Sequence, residues 1–272
     1  MTSLAGLGVQ GKAAGSTRAS APANAALGRQ AGERAFVDLH CHTRASFDSL
    51  ASPSAVVRAA AARGLTHLAI TDHDRIDGAL EARTAAPAGL TVIVGEEIRT
   101  ADGDLIAVFL ERPIPPGLPA AEAIAAVREQ GGLVGIPHPF DRFRGSLGKG
   151  ARAASLAALA PLVDWVETHN ARMVGAAGND RAATFAIDHG LPGVAVSDAH
   201  TTPEVGVAYT ILDGDPSTPA GLLAALASAE TVPGRASYVM RAVTPVAKIV
   251  QRLRGHGRGR PSTAPPGSAR GR

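Results

Sequence analysis

Histidine and carboxylate residues recur along this sequence in short runs, each just after an apolar stretch. The first run is Asp38-Leu39-His40-Cys41-His42, followed by Ser46-Phe47-Asp48-Ser49. Thr71-Asp72-His73-Asp74 and Gly95-Glu96-Glu97 come next. Pro137-His138-Pro139, Glu167-Thr168-His169-Asn170 and Ser197-Asp198-Ala199-His200 complete the series. Imidazole and carboxylate without a sulfur set suit Zn, Mn or Fe. In an extended segment the side chains at i and i+2 point the same way, so His40 and His42 are expected to reach one ion together. Asp198 and His200 repeat that spacing. By the same alternation only one of Glu96 and Glu97 points inward. Cys41 turns away from the ion, as a packed thiol rather than a nucleophile. One His-x-His pair is weak evidence. Two such i, i+2 pairs, with the other runs also at strand exits, are strong together.

The elements that must position these runs follow from the apolar pattern. Strands are expected at 35–40, 66–71, 90–94, 105–110, 133–136, 165–168, 193–197 and 207–212. Ser52 reads as a helix cap with Pro53 at the first helical position, and Gly64 as the stop. Further helices are expected at 77–83, 120–130, 155–159, 180–189 and 218–229. Strands alternating with helices imply a mostly parallel sheet. With about eight strands over about 220 residues, closure into a barrel is expected. The ligand runs then share one mouth, where barrel strands end and ligands gather.

The bulk properties agree. Apolar residues make up 45% of the 272 residues and aromatics only 3%, so the core must come from Ala, Val, Leu and Ile. No stretch approaches the roughly 20 apolar residues of a membrane span. The single cysteine excludes an intramolecular disulfide. The expectation is a soluble, cytoplasmic protein with no membrane partner. The net charge of +3 is uneven: residues 251–272 carry +6 and residues 1–35 carry +3, which leaves −6 for the middle. A basic nucleic-acid-gripping surface is therefore not evident in the folded part, and an acidic body suits cations. Residues 1–34 and 251–272 read as a disordered tail and a basic Gly/Pro/Arg-rich tail, around a domain at 35–250.

The segments DLHCHTRASFDS, ITDHD, VGEEI, IPHP and SDAH, in this order over residues 38–200, resemble the PHP (polymerase and histidinol phosphatase) family of metal-dependent phosphoesterases. The resemblance implies a distorted (β/α)7-type barrel, single-domain α/β, with two or three divalent ions per chain, Mn, Zn or Fe. By position it implies that His40, His42, Glu97 and Asp198 hold one ion. Glu97 would bridge to a second, also held by His138, while Asp48, His73 and His200 hold the third. Many relatives place a histidine at the start of the next strand, as a ligand of the second ion. Asp104 stands there in this chain, and its carboxylate can still ligate.

The chemistry implied is hydrolysis of a phosphate ester by a metal-activated hydroxide. Asp72, His73 and Glu97 are the candidate catalytic groups, with Asp72 and Asp74 serving either as proton donors to the leaving oxygen or in orienting His73. Arg142, Arg144 and Lys149 follow His138, and Asn170 and Arg172 follow the sixth strand; these are candidates for holding substrate. Candidate substrates are a phosphorylated small molecule, a nucleotide or an oligonucleotide end. His67, His189 and His256 are assigned to structure, with His169 left between site wall and structure. An amidohydrolase barrel also opens with His-x-His but commonly needs a bridging lysine. Lys12, Lys149 and Lys248 are the only lysines, and none follows an inward strand position. A catalytically degenerate metal-binding module with a regulatory role is the remaining alternative, supported by Asp104.

Overall fold

Each apolar run ahead of a ligand motif forms a strand in the computed structural model, which describes residues 34–148 and 153–255. The strands are β1 (Arg34–Asp38), β2 (His67–Ile70), β3 (Thr91–Arg99), β4 (Asp104–Val108), β5 (Leu133–Ile136), β6 (Trp165–Asn170), β7 (Gly193–Val196), β8 (Tyr209–Asp213) and β9 (Glu230–Val232). The helices are α1 (Pro53–Ala62), α2 (Asp77–Ala85), α3 (Ala120–Arg128), α4 (Ala153–Leu159), α5 (Ala177–Asp188), α6 (Pro219–Ala225), α7 (Tyr238–Arg241) and α8 (Val243–Leu253). Ser52 caps α1 by accepting from Ala55 N at 3.3 Å, and Gly64 at φ +81° ends the turn after it.

The strands form one nine-stranded sheet in the order β7-β6-β5-β4-β3-β2-β1-β8-β9. Just past β1 and β7 the chain pairs again. Cys41 bridges Ala199, His42 N donates to Ala199 O at 2.8 Å, and Asp198 N donates to His40 O at 2.8 Å. The sheet is thereby nearly closed into a barrel, and closure brings the first and last ligand runs side by side.

The strand directions correct the expectation of a mostly parallel sheet. β4 is antiparallel to β3 and β5, and β8 is antiparallel to β1 and β9. A parallel crossover needs a dozen or more residues, and only a turn at 100–103 joins β3 to β4. Thr100 N donates to Gly103 O there at 3.0 Å, and Gly103 has φ +154°. Because β4 starts where β3 ends, Asp104 still lies at the mouth.

Apolar packing fills two layers. The larger cluster joins strand residues such as Leu68, Ile70 and Val94 to the inner faces of α1, α2 and α3. A second contains Ile93, Ile106, Leu133, Val194 and the fully buried Trp165. Gly135 makes room for the indole: a Cβ there would lie 2.1 Å from Trp165 Cε2.

Three elements were not anticipated: β9, α7 and α8. The expected boundary after residue 250 falls inside α8, whose Gln251 is buried. Apart from Arg34, which opens β1, the expected N-terminal tail lies outside the described residues, as do Lys149 and residues 256–272. Among the described residues no helix is long and apolar enough to cross a membrane.

Candidate metal centre

The run after β1 supplies the first two histidines. Alternation aims them together, and their Nε2 atoms lie 2.9 Å apart. β3 supplies the central carboxylate. Glu97 Oε2 lies 3.4 Å from Nε2 of both His40 and His42 and 3.1 Å from His73 Nδ1, while its Oε1 lies 3.2 Å from His138 Nε2. Asp198 Oδ1 completes this group, 3.7 Å and 3.6 Å from the two Nε2 atoms. A neighbouring group shares His42: Asp48 Oδ2 lies 3.4 Å from His73 Nε2 and 3.3 Å from His200 Nε2. Asp198 and His200 therefore fall in different groups despite their i, i+2 spacing. Asp198 has φ +51°, outside the extended conformation that alternation assumes. His138 at φ +27° and Asp74 at φ +57° show that left-handed backbone recurs at this mouth, as at many functional sites.

Hydrogen bonds at Nδ1 fix the tautomer of four of the rings. His40 Nδ1 donates to Glu167 Oε1 at 2.6 Å. Ser46 Oγ gives its proton to Asp72 Oδ1 at 2.8 Å, so it accepts from His42 Nδ1 at 3.0 Å. Ser146 Oγ gives its proton to His138 O at 2.7 Å, so it accepts from His138 Nδ1 at 3.2 Å. His200 Nδ1 donates to Asp198 O at 2.9 Å. In its neutral form each of these four rings would thus present an Nε2 lone pair to the cluster, the arrangement that orients imidazole for a metal. Two facing lone pairs at 2.9 Å repel unless a cation or a proton lies against them. Asp48 Oδ1 and Asp198 Oδ1 are buried and accept no hydrogen bond. A buried carboxylate oxygen left so is costly, and a bound cation would satisfy it. The donor set fits divalent ions on these grounds, with His40, His42, Glu97, Asp198 and His138 in one group and His42, Asp48, His73 and His200 in the other.

The electrostatics match that reading. Burial disfavours charge on His40, yet Glu167 and Glu97 more than reverse this and hold it up at about 10. Burial and the neighbouring rings of His200, His73 and His40 hold His42 well below its usual range. Burial likewise takes His200 down to about 4. Burial opposes ionisation of Asp48 and Glu97, but the surrounding histidines hold both well below the carboxylate range. Ligands must be deprotonated to bind, so the carboxylates stand ready and His40 must give up a proton.

The structure brings some of the candidate residues to the cluster and turns others away from it. Glu96 turns from the cluster, accepts from Ile114 N at 3.1 Å, and is pushed by burial up to about 8. Cys41 is buried in the apolar cluster, where burial raises its thiol further. Asp72 is a brace: its oxygens accept from Thr43 N at 2.6 Å, Thr43 Oγ1 at 2.7 Å and Ser46 Oγ at 2.8 Å. It thus orients His42 through Ser46, where the sequence pointed to His73. Asn170 is also a brace, its amide donating at 2.9 Å to Glu167 and at 2.9 Å to Asp198. Arg144 reaches the cluster and pairs with Asp198 and Asp141, whereas Arg142 is exposed. Arg172 is buried against Glu204 at 2.7 Å. Asp104 is buried beside Gly145, and neither ligand group among the described residues contains it. His169 is structural: its Nε2 donates to Gly234 O at 2.7 Å. Lys248, the one lysine among the described residues, sits on α8 rather than on a strand.

Sequence reasoning missed Glu167 as a site residue, although it stood in a recognised run. It anchors His40 and also accepts from His138 N at 3.0 Å. Asp38, lifted to about 6 by burial, accepts from Ser197 N at 3.0 Å and Gly206 N at 3.2 Å and so fixes the chain leading into Asp198. Beside His73 a cavity of about 620 Å³ opens, lined by Phe47, Arg75, Ile76, Leu80, Arg99 and Arg112 among others.

A nearly closed α/β barrel with paired histidine–carboxylate groups at its mouth defines a class of metal-dependent proteins. Residues 38–153 match the family model described as PHP domain, and residues 176–231 match one described as PHP-associated. The chain belongs to the PHP family. An uncharacterized protein of Methanocaldococcus jannaschii is 37% identical over 122 residues, covering 41% of this chain and 71% of that protein. The 3',5'-nucleoside bisphosphate phosphatase of Chromobacterium violaceum is 37% identical over 97 residues, 35% of this chain and 34% of that protein. A two-domain protein from Bacteroides vulgatus, described as containing a predicted PHP-like metal-dependent phosphoesterase, aligns with a TM-score of 0.62 at 17% identity. That alignment covers 79% of this chain and 70% of the other, and it shows the fold.

Proposed function

We propose that this chain hydrolyses a phosphate ester at the cluster centred on Glu97, with two or three divalent ions held there. The observation that carries this reading is the convergence of four Nε2 lone pairs with Glu97, Asp48 and Asp198 in a buried mouth. His40, His42, His138, Glu97 and Asp198 would hold one part of the metal set, and His42, Asp48, His73 and His200 the other. Divalent ions in such a site neutralise phosphate charge and make water a nucleophile at neutral pH. Glu167, Ser46, Ser146 and Asp198 O keep the imidazoles in the tautomer that binds. Arg144, already at Asp198, offers a guanidinium for a phosphate oxygen.

The substrate class we favour is a nucleotide or the end of an oligonucleotide. The cavity beside His73 is of the size that holds a small organic ligand, and its Phe47 suits a stacked base, while its Arg75, Arg99 and Arg112 pair with Asp77, Asp74 and Glu129. The Chromobacterium violaceum relative bears a name of the same class. The test is metal analysis of the purified protein, with hydrolysis of an aryl phosphate and of nucleoside monophosphates assayed before and after chelation and Mn²⁺ or Zn²⁺ return. Two or three ions per chain and chelator-sensitive hydrolysis are expected. No bound transition metal and no activity after metal return would sink the reading.

A further inference from the structure

The ligand Asp48 belongs to a loop rather than a strand, so something must hold that loop in register. From within, Asp72 grips its start through Thr43 and Ser46. From outside, the grip comes from α8. Gln251 is 1% exposed, and its Nε2 lies 2.5 Å from Arg44 O, 2.9 Å from Ser46 O and 2.9 Å from Ser49 O. Three carbonyls thus share the two hydrogens of one amide, and Asp48 sits among them in sequence. Ser49 Oγ in turn donates to His200 O at 2.8 Å, tying the loop to another ligand. One helical turn before Gln251, Lys248 Nζ lies 5.3 Å from the centre of the Phe47 ring. That ring lies 4.9 Å from the ring of His73.

We infer that α8 is part of the metal centre and that Gln251 is a positioning residue for Asp48, which governs the ion shared by Asp48, His73 and His200. Both family-model matches end before α8 begins, at residues 153 and 231, so this support comes from outside the matched segments. A helix that merely covered apolar surface would place a small aliphatic residue here. Instead a buried amide donates to backbone carbonyls on both sides of Asp48. The inference rests on the proposed metal-dependent function.

The test uses the full chain, stripped with chelator and titrated with Mn²⁺ by electron paramagnetic resonance, alongside thermal melts. Gln251→Met keeps side-chain length and removes the donor. It should weaken one Mn²⁺ by roughly ten- to hundredfold, the usual scale for losing an outer support of a ligand, and leave the other ions unchanged. Gln251→Glu, which sets an acceptor against three carbonyls, should weaken it more. If Gln251→Met does not fold, Gln251→Asn retains a shorter donor and should show a milder loss of the same ion. In combination with Asp48→Asn, Gln251→Met should cost no further Mn²⁺ affinity. Equal binding by the wild type and the variants, or additive losses in the double variant, would overturn the role of Gln251. Absence of Mn²⁺ binding by the wild type would instead overturn the metal reading beneath it.

Discussion

At the base of the barrel His67 is nearly as buried as His40 is at the mouth, with exposures of 3% and 0%. The two rings live in opposite circumstances. His67 faces hydroxyls on both sides, Thr66 Oγ1 at 2.9 Å from Nδ1 and Ser217 Oγ at 2.9 Å from Nε2. Its hydrogen-bonding capacity is met by the protein. His40 has its Nδ1 met by Glu167, whereas its Nε2 faces another imidazole Nε2 at 2.9 Å and the Glu97 carboxylate at 3.4 Å. The base thus contributes stability, whereas the mouth is arranged to be completed by a cation. Burial alone does not mark a functional histidine. What marks it is the partner of its second nitrogen.

That contrast can be tested, beginning where the effect should be largest. Glu97→Gln should lower kcat on an aryl phosphate by roughly a thousandfold or more, the scale of lost charge stabilisation at a reacting group, and should leave the unfolding midpoint near wild type. A folded variant of full activity would break the assignment of the mouth. Trp165→Ala should do the reverse. It removes the large buried ring seated on Gly135 and should cost about 3–5 kcal/mol in urea unfolding, with metal content per folded molecule preserved.

Glu96 sharpens the comparison on β3 itself. Its folded value of about 8 exceeds the ordinary 4.5, so the fold favours its neutral form. Its contribution is complete below pH 4.5 and is lost as pH rises through 8. Glu96→Gln should flatten this slope, worth roughly 2 kcal/mol between pH 6 and 8, as read by urea midpoints at the two pH values. An unchanged slope would refute the neutral carboxyl.

Glu167→Gln should reduce metal affinity about ten- to hundredfold, because the amide cannot supply the charged acceptor that holds His40. Calorimetric titration of the stripped protein measures this. The smallest effect is expected at the base. His67→Ala should cost about 1–2 kcal/mol of stability and leave kcat untouched. A loss of activity there would erase the distinction between the two ends.

The clustering of candidate ligands was largely legible because the runs are short and follow strands. His40 and His42 obey the period of two, and the alternation of Glu96 and Glu97 predicted that only one could face the cluster. The same rule failed at Asp198 and His200, because Asp198 adopts a left-handed φ that no residue pattern announced. The sequence places Asp72 beside His73 as its brace or as a proton donor, but Ser46 links it to His42 instead. Glu167 was passed over since its partner, His40, lies 127 positions away in sequence. β4 was found as a strand but not as an antiparallel one, because direction depends on what the connecting turn permits.

By itself the sequence determined which side chains could bind metal and where strands would deliver them. Those are local properties, set by residue type and by the period of the backbone. Only the tertiary structure decided that the ends of β1 and β7 meet, that Glu97 lies among four imidazoles, and that Gln251 reaches back to the loop of Asp48. Such contacts join distant parts of the chain through sheet closure and packing, and their energies depend on partners that no local stretch contains.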